Sequence, residues 1–217
     1  MNTKRIVFWS CFLVILVLIV WGMIAAMNKT TNGGVNVSTP RPVTSADHIL
    51  GATSTPIELV EYGDFQCPAC SAYFPIVERL MNESSTTVHL VFRNFPLPQH
   101  TNAIPAALAA ESAGVQGKYW EMFDMLYTNQ TEWAKSPSAS TTFAGYAQKL
   151  GLDMTKFNAS LSDPAILAKI NSDLDEGTKI GIDQTPTFFI NGKVIQNPQG
   201  YDQFKAIMAS SSPSSSN

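Results

Sequence analysis

Hydrophobic and polar positions fall into three regimes along the chain. Residues 6–27 carry no charged side chain and are mostly apolar, with Lys4 and Arg5 just before them. Such a run is long enough to cross a bilayer, which takes about 20 apolar residues. Residues 28–46 are rich in Thr, Asn, Gly, Ser and Pro, show no apolar period, and are expected to be a flexible linker. Residues 47–208 show strand and helix periods and are expected to form the folded domain. The serine-rich residues 209–217 read as a disordered tail.

Within the domain, Ile57-Glu58-Leu59-Val60-Glu61-Tyr62 is strand-like, bounded by Pro56 and Gly63. Residues 68–81 read as a helix with Pro75 as a kink. Residues 87–92 are rich in β-branched and apolar side chains and read as a second strand, ended by Pro96 and Pro98. A helical block occupies about 101–180. Residues 102–113 are alanine-rich and stop at Gly114. Tyr119, Met122, Phe123 and Leu126 recur at helical spacing, as do Phe143, Tyr146, Ala147 and Leu150 before Gly151. Asp163-Pro164 is a cap and first-turn pair opening a helix through Leu167, Ile170 and Leu174. Residues 187–190 and 193–196 make a hairpin across Asn191-Gly192, a type I′ turn signal, and 201–208 close with a helix. The order is that of an α/β, thioredoxin-like fold with a helical insertion, preceded by an N-terminal transmembrane helix.

Composition narrows the chemistry. Net charge is −3, so nothing basic marks a nucleic-acid partner. Of three cysteines, Cys11 lies in the apolar run, leaving Cys67 and Cys70 as a single C-x-x-C. No A-x-A cleavage pattern follows the apolar run, which favours a retained signal anchor over 1–27 above a cleaved signal peptide. Trp9 and Trp21 suit the two interfaces, and Lys4 and Arg5 place the N-terminus in the cytoplasm by the positive-inside rule. The domain is then extracytoplasmic, in an oxidising compartment where disulfide chemistry is at home.

Free N–H groups and the dipole at a helix start stabilise a thiolate, and Cys67 stands at such a start with Pro68 suited to the first turn. Cys67 is therefore the expected nucleophile and Cys70, one turn inward, the resolving thiol. A lone C-x-x-C also fits half a zinc site or a structural disulfide. Zinc needs four ligands, and His48, His89 and His100 do not stand at ligand spacing, so no metal and no cofactor are expected. Pro186 opens a strand in Thr185-Pro186-Thr187 and cannot donate a ladder hydrogen bond. If its peptide is cis, backbone beside it is free to pair with a substrate strand; an ordinary trans loop proline is the alternative. Glu61 shares strand parity with Ile57 and Leu59, so it either faces the interior, where it can exchange a proton with Cys70, or sits solvated at an edge. Arg93 either lies near that carboxylate or on the surface.

The chain resembles the DsbA-like thioredoxin-fold disulfide oxidoreductase family, in particular its membrane-anchored branch. The resemblance rests on Ala46-Asp47-His48-Ile49-Leu50-Gly51, Val60-Glu61-Tyr62-Gly63-Asp64-Phe65-Gln66-Cys67-Pro68-Ala69-Cys70, Arg93-Asn94-Phe95-Pro96-Leu97, Lys118-Tyr119-Trp120-Glu121-Met122 and Thr185-Pro186-Thr187-Phe188-Phe189-Ile190-Asn191-Gly192. It implies a cis Pro186, a nucleophilic Cys67, a resolving Cys70 and a proton-handling Glu61, with Thr185, Pro68 and Ala69 bordering the substrate. It implies that the Cys67–Cys70 disulfide is donated to cysteine-containing exported proteins through a mixed disulfide on Cys67. A membrane redox partner, a quinone-linked oxidase, would reload it. The family's strongest oxidants carry histidine where Ala69 stands, which argues for a milder potential here. A reductase or isomerase, and a non-catalytic thioredoxin-fold binding or chaperone module, are the alternatives.

Overall fold

The computed structural model describes Leu13, residues 16–23 and residues 37–211. The chain divides into two units, Met1–Asn36 and Val37–Asn217. In the first, residues 16–23 are helical with exposed side chains. Among the described residues no helix is long and apolar enough to cross a membrane, and most of the expected anchor over 6–27 lies outside them.

The second unit is built on a five-stranded sheet in the order β1-β3-β2-β4-β5. The strands are β1 (His48–Leu50), β2 (Ile57–Gly63), β3 (Val88–Asn94), β4 (Thr187–Ile190) and β5 (Lys193–Val194). β2 and β3 are parallel, joined by the crossover helix α1 (Pro68–Ser84), and the other pairs are antiparallel. Between β3 and β4 stand α2 (Ala103–Gly114), α3 (Tyr119–Thr128), α4 (Gln130–Trp133), α5 (Ala139–Lys149), α6 (Met154–Leu161) and α7 (Pro164–Lys179); α8 (Tyr201–Ser210) closes the chain. Asp163 caps α7 by accepting from Ala165 N at 2.8 Å. Asn191 and Gly192 have φ of 49° and 75°, as the two-residue hairpin turn requires.

Strand alternation sorts the core. Ile57, Leu59, Val88, Leu90, Phe188 and Ile190 face α1 and α8, meeting Val77, Leu80, Phe204 and Met208. Val60, Tyr62, Val91 and Phe189 occupy the opposite face with Phe95 and Ile182. The helical block has its own core, with Trp133, Phe143, Phe157 and Ile170, and meets the sheet at Phe92 of β3 through Phe65 and Phe123. Burying each such large apolar side chain contributes about 1.5–3 kcal/mol.

Several expectations need correction. Residues 37–46 do not behave as a tether: Ser38 N donates to Ile180 O at 2.8 Å, Arg41 N donates to Glu176 Oε1 at 2.8 Å, and Val37 and Val43 pack on the sheet's second face. Their polar composition hid an ion pair whose partners lie far along the chain. Strand β1 and helices α4 and α6 are too short to show a period. Helix α1 runs on through Pro75 to Ser84, and α8 extends into the expected tail as far as Ser210. Arg93 is neither near Glu61 nor on the surface. It is fully buried, and in the β2–β3 register it pairs with Tyr62 while Glu61 pairs with Phe92, so its side chain leaves the other face. There its Nε donates to Asp47 at 3.0 Å and its Nη1 to the Tyr62 hydroxyl at 2.8 Å.

Candidate functional site

The C-x-x-C opens α1, with Cys67 ending a β2–α1 loop that is pinned from behind. Asp64 carries a buried carboxylate that accepts from Gln66 N at 2.7 Å, Leu97 N at 2.9 Å and His100 Nδ1 at 2.6 Å. Gln130 Nε2 donates to the carbonyls of Phe65 and Cys67 at 2.7 and 3.0 Å. Phe65 anchors the loop below, tilted against Phe92 and Tyr127 and edge-on to Phe123. These contacts leave the start of α1 little freedom, so its cysteines are held by packing rather than by the motif alone.

Cys67 is the N-cap of α1, with extended backbone and Pro68 in the first turn. Both cysteines are thiols here. Cys67 is 6% exposed and Cys70 1%, while Pro68 and Ala69 between them are exposed. A hydrogen bond from the Cys70 thiol lowers the Cys67 pKa most; burial opposes it, and the main-chain N–H groups of Cys70 and Ala69 add to the lowering, which brings it to about 5. The Cys70 thiol is pushed well up by burial, and the neighbouring Cys67 and Glu61 push the same way. Glu61 lies on the face of β2 toward α1, is 3% exposed, and is raised to about 8 by burial and the nearby Cys67. One thiol is thus made acidic and its neighbour basic, with a carboxyl beside them that changes charge near neutral pH.

Across the cleft, the Thr185–Pro186 peptide is cis. The Cys67 thiol donates to Thr185 O at 3.4 Å, and Asn197 Nδ2 holds Pro186 O at 2.8 Å. The Thr185 hydroxyl is buried without a partner among the described residues. The structure therefore brings together Glu61, Cys67, Cys70, Thr185 and Pro186, with Pro68 and Ala69 at the rim. Asp64, His100, Gln130 and Tyr127 complete the surroundings, and sequence reading did not single them out. Asp64 stands within the quoted motif, but nothing local marks Gln130 or His100, which arrive from the helical block and its entry loop. Among the described residues no group of three or more His, Cys, Asp or Glu side chains is arranged to hold a metal ion.

The thioredoxin family profile matches residues 43–209. Among solved structures, oxidised BdbD from Bacillus subtilis superposes with a TM-score of 0.71 at 22% identity, covering 81% of this chain and 98% of that one. Alpha-DsbA1 from Wolbachia pipientis gives 0.69 at 22% identity over 78% of this chain and 92% of that one. DsbA2 from Pseudomonas aeruginosa gives 0.62 at 21% identity over 82% and 100%. These likenesses show a shared fold. Curated relatives include a Na(+)/H(+) antiporter NhaA 1 from Salinispora arenicola, 39% identical over 68% of this chain, of which the match spans only 22%. A second, NhaA 3 from Salinispora tropica, is 36% identical over 76% of this chain and 24% of its own length. The similarity is thus to about a quarter of those proteins.

Proposed function

We propose that this chain, which belongs to the thioredoxin family, is a thiol–disulfide oxidoreductase that passes a Cys67–Cys70 disulfide to cysteine-containing proteins. The observation that carries the reading is the opposed acidity of two adjacent thiols: Cys67 lowered to about 5 at the start of α1, Cys70 raised in the interior behind it. A structural disulfide has no use for that asymmetry. An exchange enzyme does, because a stable Cys67 thiolate is a good leaving group and favours the reduced form.

In the proposed reaction a substrate thiolate attacks Cys67 Sγ. The Cys67–Cys70 bond breaks as the new bond forms, and Cys70 leaves as a thiolate that takes a proton from the Glu61 carboxyl. A second substrate thiolate then attacks the substrate sulfur of the mixed disulfide, and Cys67 departs as the stabilised thiolate. The substrate leaves oxidised and the protein reduced by two electrons. The backbone at Thr185 borders the position where the substrate strand would lie, with Pro68 and Ala69 on its other side. A membrane quinone-linked oxidase would take the two electrons back. Residues 6–27 would hold the chain in the membrane with the domain outside, facing exported proteins.

The direct test is oxidation of a reduced two-cysteine peptide by the oxidised full-length chain. Cys67→Ser should abolish it, as should Cys70→Ser, because neither can form the disulfide, and Cys70→Ser mixed with the oxidised peptide should hold a mixed disulfide on Cys67. Exchange that survives Cys67→Ser would refute the assignment. Equilibration with glutathione separates oxidase from reductase. Because Ala69 adds neither charge nor hydrogen bond, the potential should fall between about −120 and −270 mV, and a value at the reducing end would favour a reductase.

A further inference from the structure

Strand β4 loses its outer partner where it approaches the cysteines. Phe189 pairs with Val194 and Ile190 with Lys193, and Ile195 N donates to Phe188 O at 3.0 Å. β5 ends at Val194, so the ladder goes no further. The same register carried on would set residue 197 opposite Pro186, with a main-chain N–H against the Pro186 carbonyl. The side chain of Asn197 stands in for that group, its Nδ2 donating to Pro186 O at 2.8 Å. Among the described residues no other group donates to this carbonyl.

The donor is itself held. Pro198 beside it is buried, and its carbonyl accepts from the hydroxyl of Tyr73, one turn past Cys70 on α1. The Tyr73 ring lies 5.4 Å from that of Phe188 in β4. Gln199 N donates to Gln203 Oε1 of α8 at 2.7 Å. Residues 195–199 are thus tied to β4, α1 and α8 at once, and Asn197 meets Pro186 from a fixed position. On the other flank the Thr187 hydroxyl donates to Gln184 O at 2.8 Å, closing residues 184–187 on themselves. A proline ring fixes φ, which leaves ψ of Pro186 as the soft dihedral between β4 and the peptide before it. A donor that sets the Pro186 carbonyl sets that ψ. It therefore aims the Thr185 carbonyl, which faces Cys67 Sγ at 3.4 Å.

We propose that Asn197 is a positioning residue for substrate capture: it holds the Thr185 backbone in the direction that pairs with an extended polypeptide, and so makes the site favour polypeptide disulfides over small ones. The inference rests on the proposed thiol exchange. Asn197 acts through the Pro186 carbonyl. A polypeptide lying beside Cys67 gains main-chain hydrogen bonds at Thr185. A small disulfide has no backbone to pair and gains none, so Asn197 should govern the first reaction and leave the second alone.

The full-length chain in its reduced form tests this by running the exchange in reverse. The Cys67 thiolate attacks one sulfur of a disulfide and the other sulfur leaves as a thiolate. Cys70 then displaces the bound sulfur, so the substrate departs reduced and the Cys67–Cys70 bond closes. The substrates are a disulfide-bonded two-cysteine peptide and bis(2-hydroxyethyl) disulfide, measured on one sample, so the ratio of their rate constants does not depend on how much of a variant is folded. In Asn197→Ala the peptide rate constant should fall about fivefold, as loss of one hydrogen bond gives. The small-disulfide rate constant and the Cys67 pKa should keep their wild-type values. Asn197→Asp keeps the shape but offers only acceptors when ionised, so at neutral pH it should lose at least as much. As pH falls through the aspartate range, near about 4, its carboxyl gains a proton to donate and the ratio should return toward wild type. A wild-type peptide rate in Asn197→Ala would overturn the proposal. So would equal losses with both disulfides, since Asn197 would then act on the cysteine pair or the fold. A ratio in Asn197→Asp that stays low in acid would also overturn it, because the donated hydrogen bond would not be the cause. Failure of the exchange reading shows separately, as a wild-type chain that reduces neither disulfide or a reduction that survives Cys67→Ser.

Discussion

Cys67 and Glu61 share one small volume, and their ionisations pull the reduced protein in opposite directions as pH changes. Cys67 is lowered from 9.0 to about 5, so its contribution to the reduced fold is complete above pH 9.0 and lost as pH falls through about 5. Glu61 is raised from 4.5 to about 8, so its contribution is complete below pH 4.5 and lost as pH rises through about 8. Urea unfolding of the reduced chain should therefore show Glu61→Gln gaining on wild type between those limits as pH rises. A constant difference would mean that Glu61 ionises as it does in the unfolded chain. Thiolate absorbance should place the Cys67 transition near pH 5. Ala69→His adds a donor and a positive charge at the rim of the thiolate, so it should lower that midpoint further and raise the reduction potential. Unchanged values would show that Ala69 does not limit the acidity.

At the scale of elements, the site depends on how closely α7 lies on the sheet. Gly177 of α7 is buried, and a Cβ there would come within 2.7 Å of Phe95 Cδ2 and 3.2 Å of Tyr62 Cδ1. Helix propensity favours Ala over Gly by about 1 kcal/mol. Phe95 cannot retreat, being 4% exposed and set edge-on against Tyr62. Overpacking then costs about 1–3 kcal/mol and decides the sign. Gly177→Ala should lower the urea midpoint at unchanged slope; a stabilised protein would show that α7 can lift from the sheet freely. The helices themselves were legible from their apolar periods, because each must bury one face. Their packing distance was not, since a glycine inside a helix reads locally only as a weak position.

Over the whole molecule, a buried ion network ties together segments distant in sequence. Asp47 is held by Arg41 at 2.7 Å and by Arg93 at 3.0 Å, and Arg41 also reaches Asp173 of α7 at 3.2 Å. Burial opposes ionisation of Asp47, but the hydrogen bonds from Arg41 and Arg93 hold its pKa well below the usual carboxylate range. Lys169 of α7 in turn bridges Asp173 at 2.8 Å and Glu111 of α2 at 3.2 Å. Asp47→Ala takes from the fully buried Arg93 its nearest carboxylate, leaving Glu176 at 3.6 Å, and should cost about 3 kcal/mol, the low end for breaking a buried pair. Thermal unfolding measures this; a loss below 1 kcal/mol would mean the network behaves like a surface pair. If residues 6–27 anchor the chain as proposed, protease added to intact cells should degrade the domain, and full protection would reverse the orientation.

The sequence by itself determined the longer elements and the place of the C-x-x-C at a helix start. Strand and helix periods depend on near neighbours, the C-x-x-C is a local motif at a helix start, and the parity of Glu61 with Leu59 follows from strand geometry. Parity could not say which face of the sheet lies deeper or what stands opposite. Only the tertiary structure turned Arg93 away from Glu61 and toward Asp47, docked residues 37–46, and brought His100 and Gln130 behind Cys67. Each of these is a contact between residues far apart in the chain, fixed by which surfaces pack, and no local pattern encodes that choice.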